Sequence, residues 1–195
     1  MIALQPQRRR RMRVNGCAVP TQSGLRITVD QVYSNCAKYI SRRQIESYRP
    51  DIDIPPPRHG TALDARQRAL ITAADAFFVA TADIDGNADA SHRGGNPGFL
   101  QVLSPAWLRW PDYQGNSMFM TLGNIAVNPR CGILIPDWTT GGTLQVTGTA
   151  ELSWAPDTFT AGAQCSIDFT IAEVTDVPGA GPLRWGAAEL SPVNP

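Results

Sequence analysis

Two short stretches of this chain occur twice, and the second occurrence restricts what the first can be. Met12-Arg13-Val14-Asn15-Gly16-Cys17-Ala18 parallels Leu144-Gln145-Val146-Thr147-Gly148-Thr149-Ala150, and Ile27-Thr28-Val29-Asp30-Gln31-Val32 parallels Phe169-Thr170-Ile171-Ala172-Glu173-Val174. The offsets are 132 residues (Gly16 to Gly148) and 142 residues (Val32 to Val174), so the copies differ by a ten-residue insertion. Short matches arise by chance, but two in one order point to an internal repeat. Residues 1–49 then read as the closing half of a first unit whose opening half is absent.

Both copies alternate like strands, and most of the chain does the same. Phe77 to Thr81 and Ala88 to His92 form a hairpin around Asp85-Gly86. Leu100 to Leu103, Trp107 to Trp110, Cys131 to Pro136, Leu144 to Leu152 and Ile167 to Val174 are further strands, punctuated by Gly and Pro. Helices are expected over Asn35 to Ser47, Asp64 to Ala76 and Ser117 to Asn128. In the last, Met118, Leu122, Ile125 and Ala126 recur at helical spacing and Pro129 follows. Three consecutive prolines at 55–57 make residues 50–62 a linker. The fold class is therefore mainly β with a few helices.

With 195 residues and 43% hydrophobic content, the chain can bury a core. It has no run of eighteen apolar residues, so no membrane span is expected. The basic cluster Arg8 to Arg11 precedes no apolar segment, which argues against a secretory leader. Cys17, Cys36, Cys131 and Cys165 are widely spaced and only His59 and His92 join them, so no metal site is expected. Free thiols and a cytoplasmic location follow.

Net charge is zero but divided. Residues 1–60 hold 11 Lys and Arg against 4 Asp and Glu, whereas residues 61–195 hold 6 against 13. The basic half could be a nucleic-acid arm, an anion site, or one side of two halves that attract each other. No aromatic residues interleave Arg8 to Arg13, which disfavours nucleic acid.

Two loops carry candidate chemistry. Ser91-His92-Arg93-Gly94-Gly95 ends a strand with a guanidinium beside glycines, and this suits an oxyanion. A plain hairpin with a surface arginine is the alternative. Asp112-Tyr113-Gln114-Gly115-Asn116-Ser117 links a strand to a helix that Ser117 could cap, leaving N–H donors for an anion. A capped helix start without ligand is the alternative there. Both loops follow strands of one small barrel, so they could converge on one phosphate. Asn124 is either a ligand contact or a satisfied amide, and Gln145 either meets a ring edge or faces water. Trp138 could cover a ring or stand exposed in its loop. His92 is more readily structural than proton-transferring. No triad, P-loop or G-x-G-x-x-G fingerprint is present.

Taken together, Phe77–Thr81, Asp85-Gly86, Asp89–Phe99, Trp110–Asn116, Thr121–Asn124, Asn128–Arg130 and Leu144–Gly148 resemble flavin-nucleotide-binding proteins related to pyridoxamine 5′-phosphate oxidase. Arg9–Gly16 and Val29–Ile40 resemble the closing half of another copy, as in members with two copies in tandem. The resemblance implies a six-stranded Greek-key split barrel binding flavin mononucleotide (FMN), preceded by a partial second copy. It divides the chain into a truncated first repeat at 1–49, a linker at 50–62, the FMN-binding barrel at 63–178 and a tail at 179–195. It also implies a homodimer with FMN at the interface and a small-molecule redox substrate, with neither membrane nor nucleic acid as partner. The expected cofactor contacts are Ser91, His92, Arg93, Asp112, Tyr113, Gly115, Asn116, Ser117, Asn124 and Gln145. Gly115-Asn116-Ser117 stands where the true oxidases carry Ser-Arg-Lys, so vitamin B6 oxidation is not implied. The function read from this is that of an FMN-dependent oxidase or reductase of unassigned substrate. A non-catalytic flavin or haem sensor on the same fold is the alternative.

Overall fold

The computed structural model describes residues 1–34, 36–115, 117–155 and 160–195. Its elements in chain order begin with β1 (Ile2–Gln5), β2 (Arg10–Thr21), β3 (Gly24–Ser34), β4 (Ile45–Tyr48) and β5 (Arg58–Gly60). Then come α1 (Ala65–Ala73), β6 (Ala76–Ala82), β7 (Ala88–Gly94), β8 (Gln101–Ser104), β9 (Trp107–Tyr113) and α2 (Met120–Val127). The last are β10 (Arg130–Pro136), β11 (Thr143–Ser153), β12 (Ala163–Val177) and β13 (Leu183–Trp185).

An antiparallel sheet in the order β7-β6-β10-β11-β12-β9-β8, with β5 also on β12, is the body of the protein. Six of its strands, β6, β7 and β9 to β12, make the split barrel, and short β5 and β8 extend it. The chain jumps from β7 to the hairpin β8–β9 at the far end of the sheet and returns at β10 beside β6. The inward positions carry the apolar alternation of the sequence. Phe77, Leu108, Trp110, Ile135, Leu144, Val146, Ile167 and Phe169 are all fully buried in one core.

Local chemistry sets the boundaries. Asp64 opens α1 with a capping box, accepting from the Gln67 backbone at 2.7 Å while the Gln67 side chain accepts from the Asp64 N–H at 3.0 Å. In the β6–β7 turn, Asp83 Oδ1 accepts the backbone N–H groups of Asp85 and Asn87. Helix α2 packs Leu122 and Ile125 into the core.

The helix expected over 35–47 does not form in the described part of that stretch. Residues 36–44 run irregularly and lead into β4. Tertiary partners hold this strap, since Ile40 is 1% exposed and Arg43 makes a bidentate pair with Asp75 at 2.7 and 2.9 Å. Arg43 also lies 4.8 Å over the Trp138 ring, whose other neighbour is Trp185. Within the proline-rich stretch 50–62, β5 pairs with β12.

The first three strands form a separate sheet, β1-β2-β3. Hairpin β2–β3 has the register of β11–β12. Val14 faces Val32 as Val146 faces Val174, and Gly16 faces Val29 as Gly148 faces Ile171. The register shift falls at the same place, between Asn15 and Gly16 and between Thr147 and Gly148. A Cβ on either glycine would lie 2.0 Å from a carbonyl oxygen across the ladder, Thr28 or Thr170. Only a residue without a side chain fits that bulge.

The two hairpins differ in what covers them. Ile171 and Val174 are buried in the barrel, while their counterparts Val29 and Val32 are 51% and 53% exposed. The opposite face of β2 meets the barrel through Arg13, and further ion pairs from the basic half, on the strap and before β2, add to it. Arg13 pairs with Asp89, Arg43 with Asp75, and Arg9 and Arg42 with Glu189. The basic and acidic halves attract each other.

Candidate functional site

Strand β7 ends in Ser91-His92-Arg93-Gly94, and β9 ends in Pro111-Asp112-Tyr113. Between these ends lies a cavity of about 90 Å³. Ser91, His92, Arg93, Asp112, Tyr113, Gly115 and Ser117 line it, joined by Arg11 and Arg13 from β2 and Tyr39 from the strap. Met118 and Phe119 also line it and are about half exposed. The two loops thus meet, as convergence on one phosphate requires.

Three guanidinium groups face the cavity. Arg93 forms an ion pair with buried Asp112. Arg13, 4% exposed, lies 2.7 Å from Asp89 and donates to the Ser91 hydroxyl and to Tyr33. Neither Asp89 oxygen makes an aligned hydrogen bond, so charge alone holds that pair. Burial pushes the Asp89 carboxyl up against the pull of Arg13. Arg11 has no carboxylate partner among the described residues, and its Nη1 lies 2.8 Å from His92 Nδ1 and 3.2 Å from the His92 carbonyl oxygen. Burial and, after it, repulsion from Arg93 and Arg13 pull Arg11 down to about 10, so it stays charged at neutral pH.

Because a guanidinium only donates, His92 Nδ1 must accept, which places the ring proton on Nε2. Burial, with Arg11 next in weight, holds His92 down to about 3. The ring is neutral in the physiological range and is a poor proton acceptor. It positions Arg11.

Other expectations change on inspection. Ser117 does not cap the helix. Helix α2 begins at Met120, after Phe119, with no side-chain cap, and Ser117 sits in the left-handed region at φ 60°. Gly94, which lines the cavity, and Gly95, just after β7, also meet close packing. A Cβ on Gly94 would lie 1.9 Å from the Tyr39 carbonyl oxygen, and one on Gly95 would lie 2.6 Å from the Phe99 ring. Asn124 donates to Thr81 Oγ1 at 3.0 Å and does not line the cavity. Gln145 is exposed on β11, and it too is outside the lining. Trp138 meets Trp185 edge to face, with ring centroids 5.9 Å apart, and does not line the cavity. Asn116 lies outside the described residues.

Sequence reasoning missed Arg11, Arg13 and Tyr39. The basic cluster does not single out Arg11 or Arg13 by itself, although the sequence parallel aligns Arg13 with Gln145 and could have marked it. The tyrosine rings of residues 39 and 113 lie 5.3 Å apart at one wall, and Tyr39 donates to the Gln114 carbonyl at 2.9 Å. Unpartnered buried donors (Nε of Arg13 and of Arg93, among the described residues), together with the unneutralised Arg11, fit a phosphate group. Among the described residues no cluster of His, Cys, Asp or Glu is arranged to hold a metal ion.

A family model described as pyridoxamine 5′-phosphate oxidase matches residues 63–180. No curated protein matches the chain. Solved structures similar to it include a putative pyridoxamine 5′-phosphate oxidase from Lactobacillus delbrueckii, at 22% identity, covering 59% of this chain and 94% of that one with a TM-score of 0.47. HupZ from Group A Streptococcus is 15% identical, covering 62% and 98% with a TM-score of 0.48. A FAD-binding protein from Mesorhizobium loti is 18% identical, covering 63% and 97% with a TM-score of 0.41.

Proposed function

This chain belongs to the pyridoxamine 5′-phosphate oxidase family, and from that premise we propose that it binds FMN and works as a flavin-dependent oxidoreductase on a small-molecule substrate. One observation carries the reading: Arg11 and Arg93 meet the Ser91 and Ser117 side of a single phosphate-sized cavity between the ends of β7 and β9. Arg93, already tied to Asp112, gives the phosphate a fixed donor fork, and Arg11 adds the charge that no carboxylate neutralises. Tyr113 and Tyr39 wall one side, and exposed Phe119 and Met118 offer apolar surface where a ring system would leave the cavity. Bound FMN would supply the redox chemistry, while the chain fixes its phosphate and keeps a neutral His92 behind Arg11. A cytoplasmic setting goes with the four free thiols, two of them buried. No helix among the described residues is long and apolar enough to cross a membrane.

Absorbance of the freshly purified protein, followed by titration of the stripped protein with FMN, tests the proposal. Flavin bands that co-purify, or saturable quenching of FMN fluorescence, support it. A colourless protein that leaves FMN fluorescence unchanged at high micromolar concentration overturns it.

A further inference from the structure

Residues 1–34 lie outside the stretch that matches the family model, yet they reach the cavity. The shared register places Arg13 of β2 where β11 has Gln145, and Arg11 where β11 has Thr143. On β11 that face is open, and Gln145 is exposed. On β2 the same face is pressed onto the barrel, where Arg13 meets Ser91 and Asp89, Tyr33 meets Met120, and Arg11 meets His92.

The charges show what this contact does. Without β2, the charged groups lining the cavity are Arg93 and Asp112, which cancel, while Asp89, outside the lining, is left without Arg13. Such a site has no surplus charge for phosphate. Arg11 and Arg13 turn it into three cations against two carboxylates, and the surplus charge sits on Arg11, which already lines the cavity. A buried surplus cation is costly unless an anion meets it.

We propose that hairpin β2–β3 is a ligand-binding module built into the chain: it carries Arg11 and Arg13 across from the first repeat to the barrel of the second. The cavity thereby gains the charge to take a dianionic phosphate ester. The inference rests on the reading of the cavity as an FMN phosphate site, which it deepens by naming the residues that set its charge.

The test titrates the full chain with FMN and with riboflavin, which shares the ring but lacks the phosphate. Flavin fluorescence is read at several salt concentrations. The wild type is expected to prefer FMN over riboflavin. Arg11→Gln should weaken FMN about 10- to 100-fold, the worth of a charge-assisted contact, and change riboflavin less than about twofold. Arg11→Lys should recover part of the loss. Arg26→Gln, an exposed arginine of the same hairpin, should change neither. Should Arg11→Gln fold poorly, the wild type alone decides, since its FMN affinity should fall with added salt while that for riboflavin holds. Equal effects of Arg11→Gln and Arg26→Gln, or salt-insensitive FMN binding, overturn the inference and leave flavin binding standing. Absence of FMN binding by the wild type overturns both.

Discussion

Arg93 and Asp112 stand five ladders apart along the sheet, on β7 and β9, yet their side chains form an ion pair. The sheet has curled until β7, at one edge, nearly meets β9, next to the other, and this pair spans the gap that remains. The same gap is the cavity, so one interaction both closes the barrel and holds a donor at the cavity.

Arg93→Ala should therefore cost stability as well as binding. It strands the Asp112 carboxylate, 5% exposed, without its cation, a loss of about 3–5 kcal/mol. Adding Asp112→Ala should return much of that stability while FMN binding stays weak. Urea denaturation of both variants checks this. A double variant no more stable than the single one would show that the pair is not what closes the gap.

His92 should make the fold acid-sensitive. The unfolded chain takes up a proton on this ring below its ordinary value of 6.5, and the folded chain does so only near 3. Stability from this group is complete above the unfolded value and falls, as pH drops through the window between the two, by about 1.4 kcal/mol per pH unit. Denaturation midpoints measured from pH 7 to pH 4 should fall less steeply in His92→Gln than in the wild type. Parallel profiles would refute the assignment.

Gly148→Ala and Gly16→Ala introduce the same clash and should differ in reach. Gly148 lies in the main barrel ladder, so the Cβ has to push apart β11 and β12, and the thermal midpoint of the whole protein should drop. Gly16 lies in the outer hairpin, so Gly16→Ala should loosen β2 and lower FMN affinity while most near-ultraviolet aromatic signal survives. Equal loss of that signal in both variants would mean that the hairpin and barrel unfold as one unit.

Equivalent apolar positions should also carry unequal weight. Ile171→Ala removes side-chain volume from the core at a cost of about 2–5 kcal/mol. Val29→Ala, at the matching position on the uncovered face, should cost about 0.5 kcal/mol or less. Chemical denaturation of the pair compares them directly, and a large effect of Val29→Ala would show that this face is covered in solution.

Much of the barrel was legible because its signals are local. Alternation in Phe77 to Thr81 and Leu144 to Leu152 needs only a period of two, and Asp83 to Gly86 carries its turn chemistry within a few residues. The likeness of hairpins β2–β3 and β11–β12 was legible for a related reason: a bulge that admits only glycine marks Gly16 and Gly148 in both. The strap at 36–44 misled because its weak helical pattern competes with Ile40 and Arg43, whose partners lie elsewhere in the chain. At the site, Ser91 to Arg93 and Asp112 to Ser117 could be singled out by residue type, but Asn124 and Gln145 could not be sorted from ordinary polar positions.

The sequence by itself determined the strands, their turns, the paired hairpins and the two loops rich in anion-binding groups, since periodicity, turn residues and a forbidden side chain act over neighbouring positions. Only the tertiary structure decided which arginines serve the cavity. Arg11 and Arg13 come to Ser91 and His92 across roughly eighty residues of chain. That meeting depends on the sheet's curl and on the attraction between basic and acidic halves, and no local pattern of residues encodes either.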